Sequence, residues 1–189
     1  MVEIPFWAGE LSLFVIWVVV RTAFWIKNRG TDWRREAVLL LMLVNFAVLL
    51  RITFFPMNTL NGRVQPLIFE PSAVWPFKLN LVPFVGLKLF NARNLMILNI
   101  VGNILMFVPS GILFPSLFAR MRTFPRTLAA GIGLSVFIEL LQLPFSVRTT
   151  DIDDIIFNTA GTAMGYVMYA VFTALMKKIK SGHEDQLTT

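Results

Sequence analysis

Four groups of polar side chains interrupt otherwise apolar stretches of this sequence: Arg51, Asn99 with Asn103, Glu139 with Gln142, and Asp154 with Asn158. Ionisable groups among apolar neighbours cost several kcal/mol unless they face a cavity or a partner, so each group carries a functional reading with a structural rival. The spacing favours convergence. Asn99 with Asn103 and Asp154 with Asn158 stand four residues apart, and Glu139 with Gln142 three apart, so on helices each pair shares one face. Glu139 and Asp154 offer the carboxylates that acid and base catalysis needs. An ion pair of Glu139 with Arg51 or Arg148 is the rival of that reading. Arg51 and Arg148 have the fork geometry that grips phosphate or carboxylate, while Asn and Gln suit sugar or peptide amides. For Asn99 and Asn103 the rival is hydrogen bonding between helices.

The stretch from Arg148 to Asn158 holds Asp151, Asp153 and Asp154 and is the densest charged run of its kind. Thr150 or Asp151 can cap a helix there, with carboxylates in its first turn. A cap accounts for one or two carboxylates, not for all three and Asn158. Hard carboxylate oxygens can hold Mg²⁺. No second Asp motif accompanies them, however, and neither a metal nor another cofactor is expected. The chain has no Cys, and its one histidine, His183, lies in a polar tail. Thiolate chemistry is therefore excluded, and so are a Ser-His dyad and the histidine chemistry that Pro109-Ser110-Gly111 would need as a lipid-phosphatase centre.

The elements that must position these residues are membrane helices. Of the 189 residues 56% are hydrophobic and 15% charged, with mean hydropathy +0.69. That apolar excess does not fit a water-soluble core. Runs near the length of a bilayer span cover 7–26, 37–55, 94–119, 123–144 and 155–176. The fold class is thus an all-α polytopic transmembrane bundle of about five spans. The first run lacks a basic start and a small-residue cleavage site, and is read as a retained helix.

Lys27, Arg29, Arg34, Arg35, Arg120, Arg122, Arg126, Lys177, Lys178 and Lys180 fall on one side of this layout, against Arg63, Lys78, Lys88, Arg93 and Arg148 on the other. The richer side is expected in the cytoplasm, which puts the N-terminus outside and the C-terminus inside. The net charge of +6 then answers to topology and anionic lipid rather than nucleic acid.

Residues 56–93 contain Pro56, Pro66, Pro71, Pro76 and Pro83, which forbid a continuous helix, together with many apolar side chains. A structured extracellular cap is expected, with Trp75 and the Phe residues as interface anchors. The organisation is a first helix with its connection (1–36), a membrane domain (37–176) and a polar cytoplasmic tail (177–189). Gly161 and Gly165 form a small-residue packing face and a route to an oligomer. Pro109, Gly111 and Pro115 should kink the third span, and Arg21 is expected to snorkel to the surface.

In order, Asn80-Leu81-Val82-Pro83-Phe84, the run from Asn99 through Gly102, Asn103, Phe107 and Pro109 to Gly111, Glu139-Leu140-Leu141-Gln142, and Arg148 followed by Asp151, Asp154, Asn158, Gly161 and Gly165 resemble the VanZ-like family. The resemblance covers about residues 40–176. Ser110 departs from the Leu expected between Pro109 and Gly111, and the first span lies outside the similarity. The resemblance implies a small multi-pass protein of the bacterial plasma membrane, with a namesake associated with resistance to the lipoglycopeptide teicoplanin. Its motif positions fall here on Asn80, Asn99, Asn103, Glu139, Gln142, Arg148, Asp154 and Asn158. Arg51 takes the place where the family commonly has an Arg- or Thr-containing helix end.

Three functions compete. The first is a binding or protecting module in which Arg51, Asn80, Asn99, Asn103, Glu139, Gln142, Arg148, Asp151, Asp154 and Asn158 line an outer-leaflet polar recess for a lipid-linked cell-wall precursor or a lipoglycopeptide. The second is an enzyme modifying an envelope lipid or cell-wall precursor through Glu139 and Asp154. The third is a structural bundle whose polar residues only join helices.

Overall fold

Three helices start where a side chain accepts from first-turn amides or a proline has no amide to satisfy. Asp32 accepts hydrogen bonds from the backbone N–H of Arg34 and Arg35, at 3.0 and 3.4 Å, and opens α2 (Trp33–Phe54). Pro125 stands in the first turn of α4 (Phe124–Gln142), where its missing N–H costs nothing. Asp151 Oδ1 accepts from the N–H of Asp153 at 2.9 Å and opens α5 (Ile152–Leu187). With α1 (Phe6–Asn28) and α3 (Arg93–Leu117) these make five helices, each long and apolar enough to cross a membrane. A helix meets its own backbone polar groups, as a bilayer interior requires. The computed structural model describes residues 1–28, 32–55, 59–60, 62–75, 79–84, 93–145 and 150–187.

The helices alternate in direction. One end, here the cap end, gathers the C-termini of α2 and α4 with the first turns of α5, as the contacts Gln142 to Thr53 and Thr150 to Glu139 show. At the far end the Tyr166 hydroxyl donates to the Arg122 carbonyl at 3.0 Å. There Arg21 pairs with Glu36 and lies 4.5 Å from the centre of the Phe24 ring. The expected snorkelling of Arg21 is therefore corrected: a carboxylate on α2 and an aromatic face satisfy the guanidinium within the helix pair.

α3 and α5 form the tightest crossing. A Cβ on Gly161 would collide with the Ile104 carbonyl, one on Gly165 with the Val108 carbonyl, and one on Gly111 with the Thr162 carbonyl. Gly161 and Gly165 thus do serve helix packing. Here it is the α3 of the same chain that packs against them. α3 runs unbroken through Pro109 and Pro115. Beside this crossing, Leu49, Phe54, Phe55, Met106, Phe107 and Ile138 form one apolar cluster, and Met42, Leu113 and Phe114 a second. α5 continues to Leu187, so the expected polar tail begins as helix, in keeping with the Lys-rich turns that follow the apolar span.

The cap is tied down by short strand pairings. β1 (Val2–Ile4) runs antiparallel to β4 (Leu67–Phe69), and β2 (Thr59–Leu60) to β3 (Arg63–Val64) around Gly62, whose φ of 73° suits a residue without a Cβ. β5 (Leu79–Asn80) lies parallel to β6 (Thr150–Asp151), with Leu79 opposite Thr150 and Asn80 opposite Asp151. The Glu70 N–H donates to the Pro144 carbonyl at 2.8 Å, and the Phe69 and Phe145 rings meet edge to face at 5.8 Å. Trp75 is exposed as an interface anchor should be, whereas Phe69 turns inward.

Candidate functional site

The opening of α5 sends its three carboxylates to three places. Asp151 Oδ2 accepts from Asn80 Nδ2 at 2.9 Å, which fastens the Asn80 side chain of the cap beside the β5–β6 pairing. Asp153 Oδ1 accepts from the Phe84 N–H at 2.7 Å. Asp154 Oδ1 accepts from Asn103 Nδ2 at 2.5 Å and joins α5 to α3. Below them, Glu139 Oε2 accepts from the Asp151 N–H at 3.3 Å, and the Glu139 carbonyl accepts from the Thr150 hydroxyl at 3.2 Å. Gln142 donates from Nε2 to the Thr53 carbonyl. One turn into α5, Asn158 Nδ2 donates to the Ser135 hydroxyl oxygen at 2.9 Å.

The arrangement has a rim and a floor. Asn80, Asp151 and Asp154 are half-buried, while Asn103 and Gln142 are buried. Glu139, Asp153 and Asn158 are deepest, at 3%, 3% and 2% exposure. The converging stripes expected from the spacing are thus present, but most of their members sit in a packed layer and not on the wall of a wet recess. Such a layer is stable because each buried acceptor finds a donor; a hydrogen bond to a charged group contributes about 1.5–3 kcal/mol. Among the described residues two buried oxygens depart from this rule. Asp153 Oδ2 and Asn158 Oδ1 have no hydrogen-bond partner.

Seven of the ten residues expected to bind a ligand gather at the cap end: Asn80, Asn103, Glu139, Gln142, Asp151, Asp154 and Asn158. Asn99 is half-buried one turn from Asn103. Arg51 donates to the Phe55 carbonyl at 3.2 Å, and its guanidinium lies 5.6 Å from the Phe6 ring centre. Arg148 lies outside the described residues.

Asp153 is the main addition to the expected set, which took Asp151 and Asp154 from the acidic run and left Asp153 out. Ser135 is another; its position four residues before Glu139 on α4 already marked the shared face. Ser110, which replaces an expected Leu, donates to Asn45 Oδ1 at 2.7 Å, and Asn45 Nδ2 donates to the Met106 carbonyl at 3.2 Å. That buried pin joins α2 to α3 on the far side of Asn103 from the cap. A polar residue in mid-span was its only signal.

Five apolar helices with a carboxylate and amide layer at one end define a multi-pass helical membrane protein. A protein-family model described as VanZ/LLP1 matches residues 37–173, and the chain belongs to that family. It is also similar to Protein VanZ of Enterococcus faecium, with 30% identity over 102 residues, covering 54% of this chain and 58% of the relative. The match therefore spans little more than half of that relative's length. No solved structure matches the chain. The family match begins inside α2, so α1 stands outside it, as the run of motifs led one to expect.

Proposed function

We propose that the cap end of this bundle binds the head group of a lipid-linked cell-wall component or of an acylated glycopeptide, and so contributes to resistance to lipoglycopeptides such as teicoplanin. The observation that carries the reading is the half-buried rim at Asn80, Asp151 and Asp154, with exposed Leu81 and Val82 directly following Asn80. A polar rim next to an apolar surface suits an amphiphile, whose amides and hydroxyls meet acceptors while its acyl chain stays with lipid. The Lys and Arg distribution favours a cap facing the cell exterior in a bacterial plasma membrane, with membrane lipids as constant partners. Family membership and likeness to Protein VanZ support the resistance phenotype.

The test is teicoplanin susceptibility of a sensitive bacterium expressing the wild type, Asn80→Ala or Asp154→Ala, with membrane levels measured for each. The wild type should lower susceptibility, and both variants should lose that effect at equal levels. A wild type without effect defeats the proposal. The structural reading has its own observation, the internal pairings Asn158 to Ser135 and Ser110 to Asn45. It prevails if every substitution acts only through the amount of protein in the membrane.

A further inference from the structure

Residues 79–84 cross the opening of α5 as a short strap. At one end β5 pairs with β6 and Asn80 bonds Asp151; at the other the Phe84 N–H bonds Asp153. Three features of the strap stand together. Phe84 has φ 64°, a left-handed backbone that disfavours a bulky residue. Leu81, Val82 and Phe84 are 63%, 60% and 51% exposed, so the strap holds its apolar side chains away from the bundle. The carboxylate beneath it, Asp153, is buried with one oxygen unpartnered. Strain above and an unmet acceptor below both lower the cost of lifting the strap, since water can then reach Asp153 Oδ2 and Phe84 can relax. Two two-residue strands and two side-chain bonds are a weak tie that opens well below the cost of unfolding the helices.

We infer that residues 79–84 form a lid over the α5 opening, closed in this structure, whose lifting uncovers Asp153 and admits ligand to the layer below. The inference rests on the ligand-binding reading for what enters, but not for the motion itself. Leu81 and Val82 already face outward in the closed position, so an acyl chain can rest against them beside the lid before the strap lifts.

The chain has no native Cys, which permits a clean lock. Leu79 and Thr150 are register partners, and neighbouring strands stand about 4.7–4.9 Å apart, within the Cα range of a disulfide. The double variant Leu79→Cys, Thr150→Cys in lipid nanodiscs is treated with dicyclohexylcarbodiimide, oxidised or reduced, and modification of Asp153 relative to Asp154 is read by mass spectrometry. Oxidation should cut Asp153 modification about tenfold, and reduction should restore it in the same sample, which separates a lid from misfolding. Phe84→Pro, which removes the N–H and cannot hold a positive φ, should raise modification in an otherwise native chain. Equal modification in both redox states, modification in neither, failure of the disulfide to form, or no change in Phe84→Pro each overturn the lid. A lid that behaves as described, together with unchanged teicoplanin susceptibility in the locked form, leaves the lid standing and removes the proposed ligand.

Discussion

Asn103 and Asp154 meet at 2.5 Å between the middle of α3 and the first turn of α5, and theirs is the hydrogen bond that joins the family motif of one helix to that of the other. Asn103 is buried and Asp154 half-buried, so removing either side chain takes a hydrogen bond from a group largely withdrawn from water. Asp154→Leu or Asn103→Leu should each destabilise the protein by about 1–3 kcal/mol. Exchanging the pair, as Asn103→Asp with Asp154→Asn, keeps one donor facing one acceptor and should recover most of the loss. Thermal denaturation in detergent with all three proteins checks this; an exchange variant no better than the single variants refutes the pairing.

The crossing of α3 and α5 predicts a sharp contrast among glycines. Gly161→Ala and Gly165→Ala place a methyl against the Ile104 and Val108 carbonyls, backbone atoms that cannot yield without separating the helices. Both should abolish folded yield from membranes. Gly102→Ala meets nothing within 4 Å and should leave yield unchanged. Size-exclusion profiles of fluorescent fusions measure all three at once.

The pin between α2 and α3 predicts coupling. Ser110→Ala leaves Asn45 Oδ1 without its donor in a buried place and should cost about 1–3 kcal/mol. Once Asn45→Leu has removed the acceptor, adding Ser110→Ala should cost much less, because no polar group remains to be stranded. A double-mutant cycle on thermal stability reads the difference, and additive losses would show that the two side chains do not depend on each other.

The helices were readable because a bilayer admits few structures: long apolar runs must close their own hydrogen bonds, so length and composition identified all five. The cap yielded less. Its pairings join Val2 to Phe69 and Asn80 to Asp151, over separations that no local pattern encodes, and each strand is too short to alternate. In the polar layer, spacing identified the faces of Asn103, Glu139 and Asn158 but not their partners. Asp151, Asp153 and Asp154 look alike in sequence, and only the packed backbone sends one to Asn80, one to Phe84 and one to Asn103. Sequence therefore does not single out Asp153 from its neighbours, and the acceptor of the Ser110 hydroxyl, Asn45, is on another helix.

Orientation gives the last prediction. Lys and Arg cluster toward the end of the bundle away from the cap, at Arg34, Arg35, Arg120, Arg122, Arg126, Lys177, Lys178 and Lys180, while the cap carries few. Positive connections stay in the cytoplasm because their translocation is opposed, so the cap should face outward. A Cys-free background makes labelling unambiguous. Ser72→Cys, on an exposed position of the cap, should react with a membrane-impermeant maleimide in intact cells. Thr123→Cys, exposed between α3 and α4 at the far end, should react only after permeabilisation. The opposite pattern would put Asn80, Asp151 and Asp154 on the cytoplasmic side, where an extracellular drug or a precursor already exported could not reach them.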